Sequence, residues 1–284
     1  MSESPATISL EGKTALVTGG GAGIGRAIAL AFATLGARVI VAEIDPARAE
    51  SVGAELVSAR EGSWVSVADV RDRAQVAALV ADIERRCGPL DVLVNNVGDF
   101  LNIVKPFEKT SEQEWDALYA VNLRQLFLVT HAAIPLLRRA ARGASIINFS
   151  SIEAFRGIPV TAVYSAFKAA ITGFTRSLAL DLAPSGIRVN AIAPETTETE
   201  QVKPSAFILP QYREHIRRWN PLGRFGTPSD AAGCAVFLAS ELSAWVTGTT
   251  LHLDGGALAA AGWYRTPDER WTIVPVVTDS GLTF

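Results

Sequence analysis

Cysteine is nearly absent: Cys87 and Cys234 are the only two in 284 residues, far apart and outside any CxxC pair. That argues against a disulfide framework and a thiolate metal site, and it suits a reducing compartment. The three histidines, His131, His215 and His252, are scattered, so no metal site is expected and they read as structural or surface residues. No five like charges occur in succession, and 26 basic residues against 29 acidic ones leave a net charge of -3. Nothing in that balance recruits nucleic acid. The start, MSESPATISLEGK, lacks a basic stretch followed by an apolar one, and no apolar run approaches the ~20 residues that span a bilayer. The expectation is a soluble, cytoplasmic protein with no membrane partner.

Apolar residues are plentiful, at 49% against 19% charged, and a chain of this length buries about three quarters of its unfolded surface. Short apolar runs, several of them β-branched, occur at 14–18, 38–42, 64–67, 91–94, 145–149 and 187–192. They read as buried strands. Stretches with helical spacing lie between and beyond them, at 23–35, 46–59, 72–86, 111–139, 161–183 and 228–239. Each parallel strand needs a crossover long enough for a helix, so the alternation predicts a doubly wound parallel α/β sheet, a Rossmann fold, as a single domain over 1–284. The less regular segment 196–227, broken by Pro204, Pro210 and Pro221, carries Phe207, Ile208, Leu209, Tyr212 and Trp219. It is expected to act as a substrate lid, with 257–284 as a C-terminal extension.

Directly after the first strand come Thr18, Gly19, Gly20, Gly21, Ala22, Gly23, Ile24 and Gly25, and then a helical run from Arg26. Glycines allow a tight turn and close approach to a pyrophosphate, and a helix start favours an anion. The alternative is a plain glycine-rich loop. Glu43 follows the second strand, near the spacing of about 20 residues at which an acid meets the adenosine ribose hydroxyls; the alternative is a solvated strand-end carboxylate, and Asp45 is a nearby decoy. Tyr164 and Lys168 share a helix face. An adjacent ammonium and a positively charged nicotinamide favour the ionised phenol, so this spacing predicts a lowered tyrosine pKa and proton exchange with an alcohol oxygen.

With these motifs in order, the chain resembles the short-chain dehydrogenase/reductase family in its one-domain form over roughly residues 10–256. The carriers are TGxxxGxG from Thr18 to Gly25, NNxG at Asn95, Asn96, Val97 and Gly98, and YxxxK at Tyr164 and Lys168. The resemblance implies a catalytic tetrad of Asn122, Ser151, Tyr164 and Lys168. Ser151 would hold the substrate oxygen, Tyr164 would move its proton, Lys168 would bind the ribose and tune the tyrosine, and Asn122 would hold a water that relays the proton to solvent. It also implies NAD as cofactor, held by Gly19, Gly23, Ile24, Gly25 and Glu43, with Asp69 and Val70 at the adenine, Asn96 and Gly98 beneath the cofactor, and Pro194, Thr197 and Thr199 by the carboxamide and phosphates.

Two features depart from the family's pattern. Glu195 stands where glycine usually follows the proline ending the sixth strand; it either narrows the pocket, meets a polar group of the substrate, or points into solvent. The tail after Gly256 holds Trp263, Tyr264 and Trp271, where family chains often stop. Family members are commonly homotetramers, and VTGTTLHLDGG resembles the strand and turn near their twofold axes. The activity implied is oxidation of a secondary alcohol or reduction of a ketone. Phe100, Ile152, Phe155 and Ile158 suggest an apolar cyclic or steroid-like small-molecule substrate, though core packing uses the same residues, and Glu153 and Arg156 interrupt that pattern. A 3-oxoacyl-carrier-protein-type reductase is the alternative, disfavoured by Ala22 where such enzymes carry a basic residue. A catalytically silent dinucleotide sensor is another, disfavoured because Tyr164 and Lys168 are both present.

Overall fold

The structure is a computed structural model that describes residues 8–140, 143–204, 215–218, 220–262, 264–265 and 271–272. Seven parallel strands form one sheet in the order β3-β2-β1-β4-β5-β6-β7. They are β1 Thr14–Thr18, β2 Arg38–Glu43, β3 Trp64–Val67, β4 Val92–Asn95, β5 Ser145–Phe149, β6 Arg188–Pro194 and β7 Thr250–Leu253. The fold is therefore the doubly wound α/β fold that the alternation predicts. The sequence pattern marks the first six strands; β7 is only half-buried, so it lacks the unbroken apolar run that betrays a central strand.

Both faces of the sheet are covered, which explains why its central strands are buried at nearly every position rather than at alternate ones. Ala15 and Val17 pack with Phe32 of α1 (Gly23–Thr34), Leu56 of α2 (Pro46–Ala59) and Leu238 of α7 (Pro228–Ala239). Leu16, between them, packs on the other face with Leu79 of α3 (Arg73–Cys87), Val129 of α5 (Gln125–Leu137) and Ala179 of α6 (Ala162–Leu182). Helix α4 (Glu112–Tyr119) runs into α5 through a π turn at Ala120–Arg124. By length and composition the combined helix Glu112–Leu137 would cross a membrane, contrary to the expectation from apolar runs, but more than half of its apolar window is buried within the protein. It is a core helix.

Strand order reverses between β1 and β4, and in open sheets of this kind a crevice forms there, beyond the carboxyl ends of the strands. Thr18, Glu43, Asn95, Phe149 and Pro194 all end their strands on that edge. The segment expected as a lid is tied at its base, where Glu198 N–H donates to Gly226 O at 2.8 Å and Gly226 N–H to Thr196 O at 3.1 Å. Phe207, Ile208, Leu209, Tyr212 and Trp219 lie outside the described residues, as does Trp263. In the tail, Tyr264–Arg265 pairs antiparallel with Trp271–Thr272 as two short strands, β8 and β9.

Candidate active site

A cleft of about 500 Å³ opens along the carboxyl edge, within the size range of cofactor and ligand sites. It begins at the glycine turn, where α1 starts at Gly23 with Ala22 offering no side-chain cap to its free N–H groups. Those groups are left to an anion. A methyl on Gly25 would sit 2.2 Å from Gly19 O and 2.6 Å from Asn96 Nδ2, so only glycine lets helix and strand end meet so closely. Asn96 locks the turn from below, donating from Nδ2 to Thr18 O and Gly19 O at 3.1 Å each.

Glu43 is buried at the same end. Its carboxylate accepts from Gly21 N–H at 2.9 Å, Ile44 N–H at 3.0 Å and Asp45 N–H at 3.1 Å. A carboxylate offers about four lone-pair positions, so one remains for a ribose hydroxyl while the rest brace the turn. Arg48, five residues beyond Glu43 in the sequence, lines this end of the cleft with it. The first turn of α2 brings it back, because Asp45 caps that helix by accepting from Ala47 and Arg48 N–H.

At the other end stand Ser151, Tyr164 and Lys168. Ser151 follows β5 and opens the short 3-10 turn Ile152–Ala154, where its hydroxyl accepts from Glu153 N–H at 3.2 Å; it shares the cleft wall with Tyr164. Lys168, one turn along α6, is buried, donates from Nζ to Phe149 O at 3.1 Å, and lies 5.6 Å from the centre of the Tyr164 ring. Burial pushes the Tyr164 phenol up to about 12; the nearby Ser151 hydroxyl opposes this, and the charges of Glu153 and Asp99 add to it. The expected lowering is thus corrected: among the protein's own groups desolvation is the largest cause, and Lys168 is not among the causes. Burial also brings Lys168 down to about 8, with Asp99 pulling the other way.

This lysine gives stability a pH signature. Its folded pKa, about 8, lies below its ordinary 10.5, so between those values the unfolded chain holds the extra proton and stability rises with pH. Tyr164, raised from 10 to about 12, reverses the trend above pH 10. From pH 8 to pH 10 the protein should gain about 2 kcal/mol, read as a higher urea midpoint, and Lys168→Met should flatten that rise. A variant with the same slope as the parent would show that the lysine is not buried as a cation.

Asn122 does not line the cleft. It sits fully buried in the π turn, where Nδ2 donates to Asp99 O at 2.7 Å and Leu118 O at 3.0 Å, and Oδ1 accepts from Asp99 N–H at 3.1 Å. A methyl on Gly98 would lie 2.7 Å from Lys168 Nζ and 3.1 Å from Asn122 Oδ1, which places both groups against that glycine. Gly19, Gly23, Ile24, Asn96, Gly98, Pro194, Thr197 and Thr199 join the cleft wall. Asp69 and Val70 do not: the Asp69 carboxylate is paired with Arg71 at 2.8 Å, and Val70 is buried in the core. Val121, Ser150, Glu200 and Gln201 line the cleft without having been read from sequence. No spacing signal marks them, because tertiary folding brings them there, Val121 from the π turn and Ser150, Glu200 and Gln201 from segments beyond the strand ends.

The chain matches the family model described as Enoyl-(Acyl carrier protein) reductase over residues 19–257. It is 38% identical to a 3-oxoacyl-[acyl-carrier-protein] reductase of Thermotoga maritima, over 87% of this chain and 98% of that one. The chain belongs to the short-chain dehydrogenase/reductase family. Another member, galactitol 2-dehydrogenase of Agrobacterium fabrum, is 36% identical over 87% of this chain and 98% of its own. A solved 7α-hydroxysteroid dehydrogenase, complexed with NADH and 7-oxo glycochenodeoxycholic acid, superposes with a TM-score of 0.82 at 31% identity, covering 90% of this chain and 98% of that one. As a short-chain dehydrogenase/reductase the protein is an oxidoreductase acting on CH–OH groups with a nicotinamide dinucleotide. The tail beyond residue 257 lies outside the family match.

Proposed function

We propose that the protein is an NAD-dependent dehydrogenase/reductase interconverting a secondary alcohol and a ketone. The observation that carries this reading is one cleft with a glycine-bounded anion site at one end and Ser151, Tyr164 and Lys168 at the other. The residues fit a dinucleotide: the bare start of α1 would take the pyrophosphate, Glu43 a ribose hydroxyl, and Lys168 the second ribose. When bound, the dinucleotide supplies the carbon that accepts or gives a hydride. Ser151 then holds the substrate oxygen, and Tyr164, protonated at neutral pH because burial pushes its pKa up to about 12, donates its proton to a ketone oxygen as the hydride arrives; in the oxidation direction it is the phenolate, its proton already given up, that takes the alcohol proton. Asn122 acts behind Lys168, fixing the loop of Gly98 and Asp99. Calorimetry with NAD, followed by absorbance of the reduced cofactor with a panel of secondary alcohols, tests the reading; failure to bind any dinucleotide would end it.

A carrier-protein reductase is the second reading, favoured by the Thermotoga relative. Ala22 in the glycine turn weighs against it, and a 3-oxoacyl thioester with NADPH tests it. The steroid-like substrate keeps some support from the hydroxysteroid dehydrogenase, with Phe100 and Ile152 on the cleft wall. Phe155 instead packs edge-on against His252, with ring centres 4.5 Å apart.

The protein is further proposed to work in the cytoplasm as a homotetramer. Trp245, fully exposed, and Leu242, 40% exposed, stand just before β7. Exposed apolar surface of this kind is commonly covered by a neighbour. Light scattering on the full chain and on residues 1–257 checks this: a tetramer is expected, and a monodisperse monomer at full length would refute it.

A further inference from the structure

Glu153 stands two residues beyond Ser151, on the cleft wall, with its side chain only 10% exposed. Oε1 accepts from Arg156 at 3.1 Å. Oε2 is buried and has no hydrogen-bond partner among the described residues. A buried carboxylate oxygen without a donor is costly, and a substrate that brings one removes the cost.

The second carboxylate on this wall is differently placed. Glu195 bonds Arg156 through Oε2, and its Oε1 accepts from the Thr196 hydroxyl at 2.9 Å. Arg156 therefore orients both acids, and only Glu153 keeps an acceptor unmet. Glu153, Glu195 and Asp99 against Arg156 and Lys168 leave this end of the cleft with an excess of negative charge. An anionic substrate is repelled there, whereas a neutral one carrying hydroxyl donors is matched.

We infer that Glu153 accepts a hydrogen bond from a second hydroxyl of the substrate, beside the carbinol that Ser151 and Tyr164 hold, and that the substrate class is a neutral polyol. The inference rests on the proposed roles of Ser151 and Tyr164. A monohydric alcohol has no second donor for Oε2, and a site built to receive a hydrogen bond rejects the analogue that lacks it.

The test compares kcat/KM of the full-length protein, with whichever of NAD or NADP it binds, for four- to six-carbon alditols against cyclohexanol and 2-octanol. Alditols are expected to be favoured by on the order of 100-fold or more. Glu153→Leu should cut that ratio at least about tenfold, and Glu153→Gln, whose amide oxygen still accepts, should keep most of it; calorimetry with the dinucleotide confirms that each variant is folded. Equal or better use of the monohydric alcohols by the parent protein overturns the inference, whatever the variants do. So does a Glu153→Leu variant that loses both classes in proportion. Turnover of monohydric alcohols alone defeats this inference and leaves the oxidoreductase reading standing, whereas turnover of neither class, in either direction, with the dinucleotide bound, defeats both.

Discussion

Tyr164→Phe is expected to lower turnover by a factor on the order of 100 to 10,000 while the fold and dinucleotide binding survive. The substitution removes one oxygen. That oxygen is the proton donor and acceptor of the proposed reaction, whereas the ring it leaves behind still fills its place on α6, edge-on to Phe100 with ring centres 6.5 Å apart. The fall should appear in kcat rather than in dinucleotide affinity, because the glycine turn and Glu43 lie at the other end of the cleft. Single-turnover rates and calorimetry on the two proteins decide it. If the variant kept more than a tenth of the parent rate, another group would have to move the proton.

The second large effect concerns cofactor choice. NADP carries a phosphate on the adenosine ribose, where Glu43 is proposed to accept a hydroxyl. The carboxylate is fixed by three backbone N–H groups, so it does not swing away from an incoming anion. Two unit charges ~4 Å apart repel by roughly 1 kcal/mol in water and about 4 kcal/mol at the effective dielectric near a protein surface. Each 1.4 kcal/mol is about tenfold in affinity, so NAD should be preferred by about one to three orders of magnitude. Arg48 on the same wall offsets part of this repulsion, which sets the expectation toward the lower end, and Arg48→Ala should widen the preference. Glu43→Ser combined with Ala22→Arg should weaken NAD and admit NADP. The measurement is the ratio of specificity constants for the two cofactors with one substrate. An unmodified protein that prefers NADP, or a Glu43→Ser variant with an unchanged ratio, would assign Glu43 to bracing the turn alone.

Much of this protein is legible in its sequence for local reasons. A central parallel strand is buried on both faces, so β1, β2, β4, β5 and β6 appear as short, largely apolar runs, and the glycines between β1 and α1 announce a turn in which side chains do not fit. Tyr164 and Lys168 are singled out as candidates by the YxxxK motif in company with the glycine turn and NNxG, and Glu43 by its place after the second strand behind that turn. Other features depend on what folding brings near. The edge strand β7 is too exposed to carry an apolar run. Asp69 has the sequence position of an adenine contact, yet Arg71 takes its carboxylate. Arg48 looks remote from the glycine turn until Asp45 caps α2 and folds it back. The direction of the Tyr164 pKa follows from burial, to which helical spacing is blind, and the polar wall of Glu153, Arg156 and Glu195 is assembled from two loops separated by a helix and a strand. Short-range periodicity and steric rules thus determined the sheet and the ends of the cleft, whereas the charge balance inside it was decided by long-range packing, because desolvation and ion pairing act between groups that the chain order keeps apart.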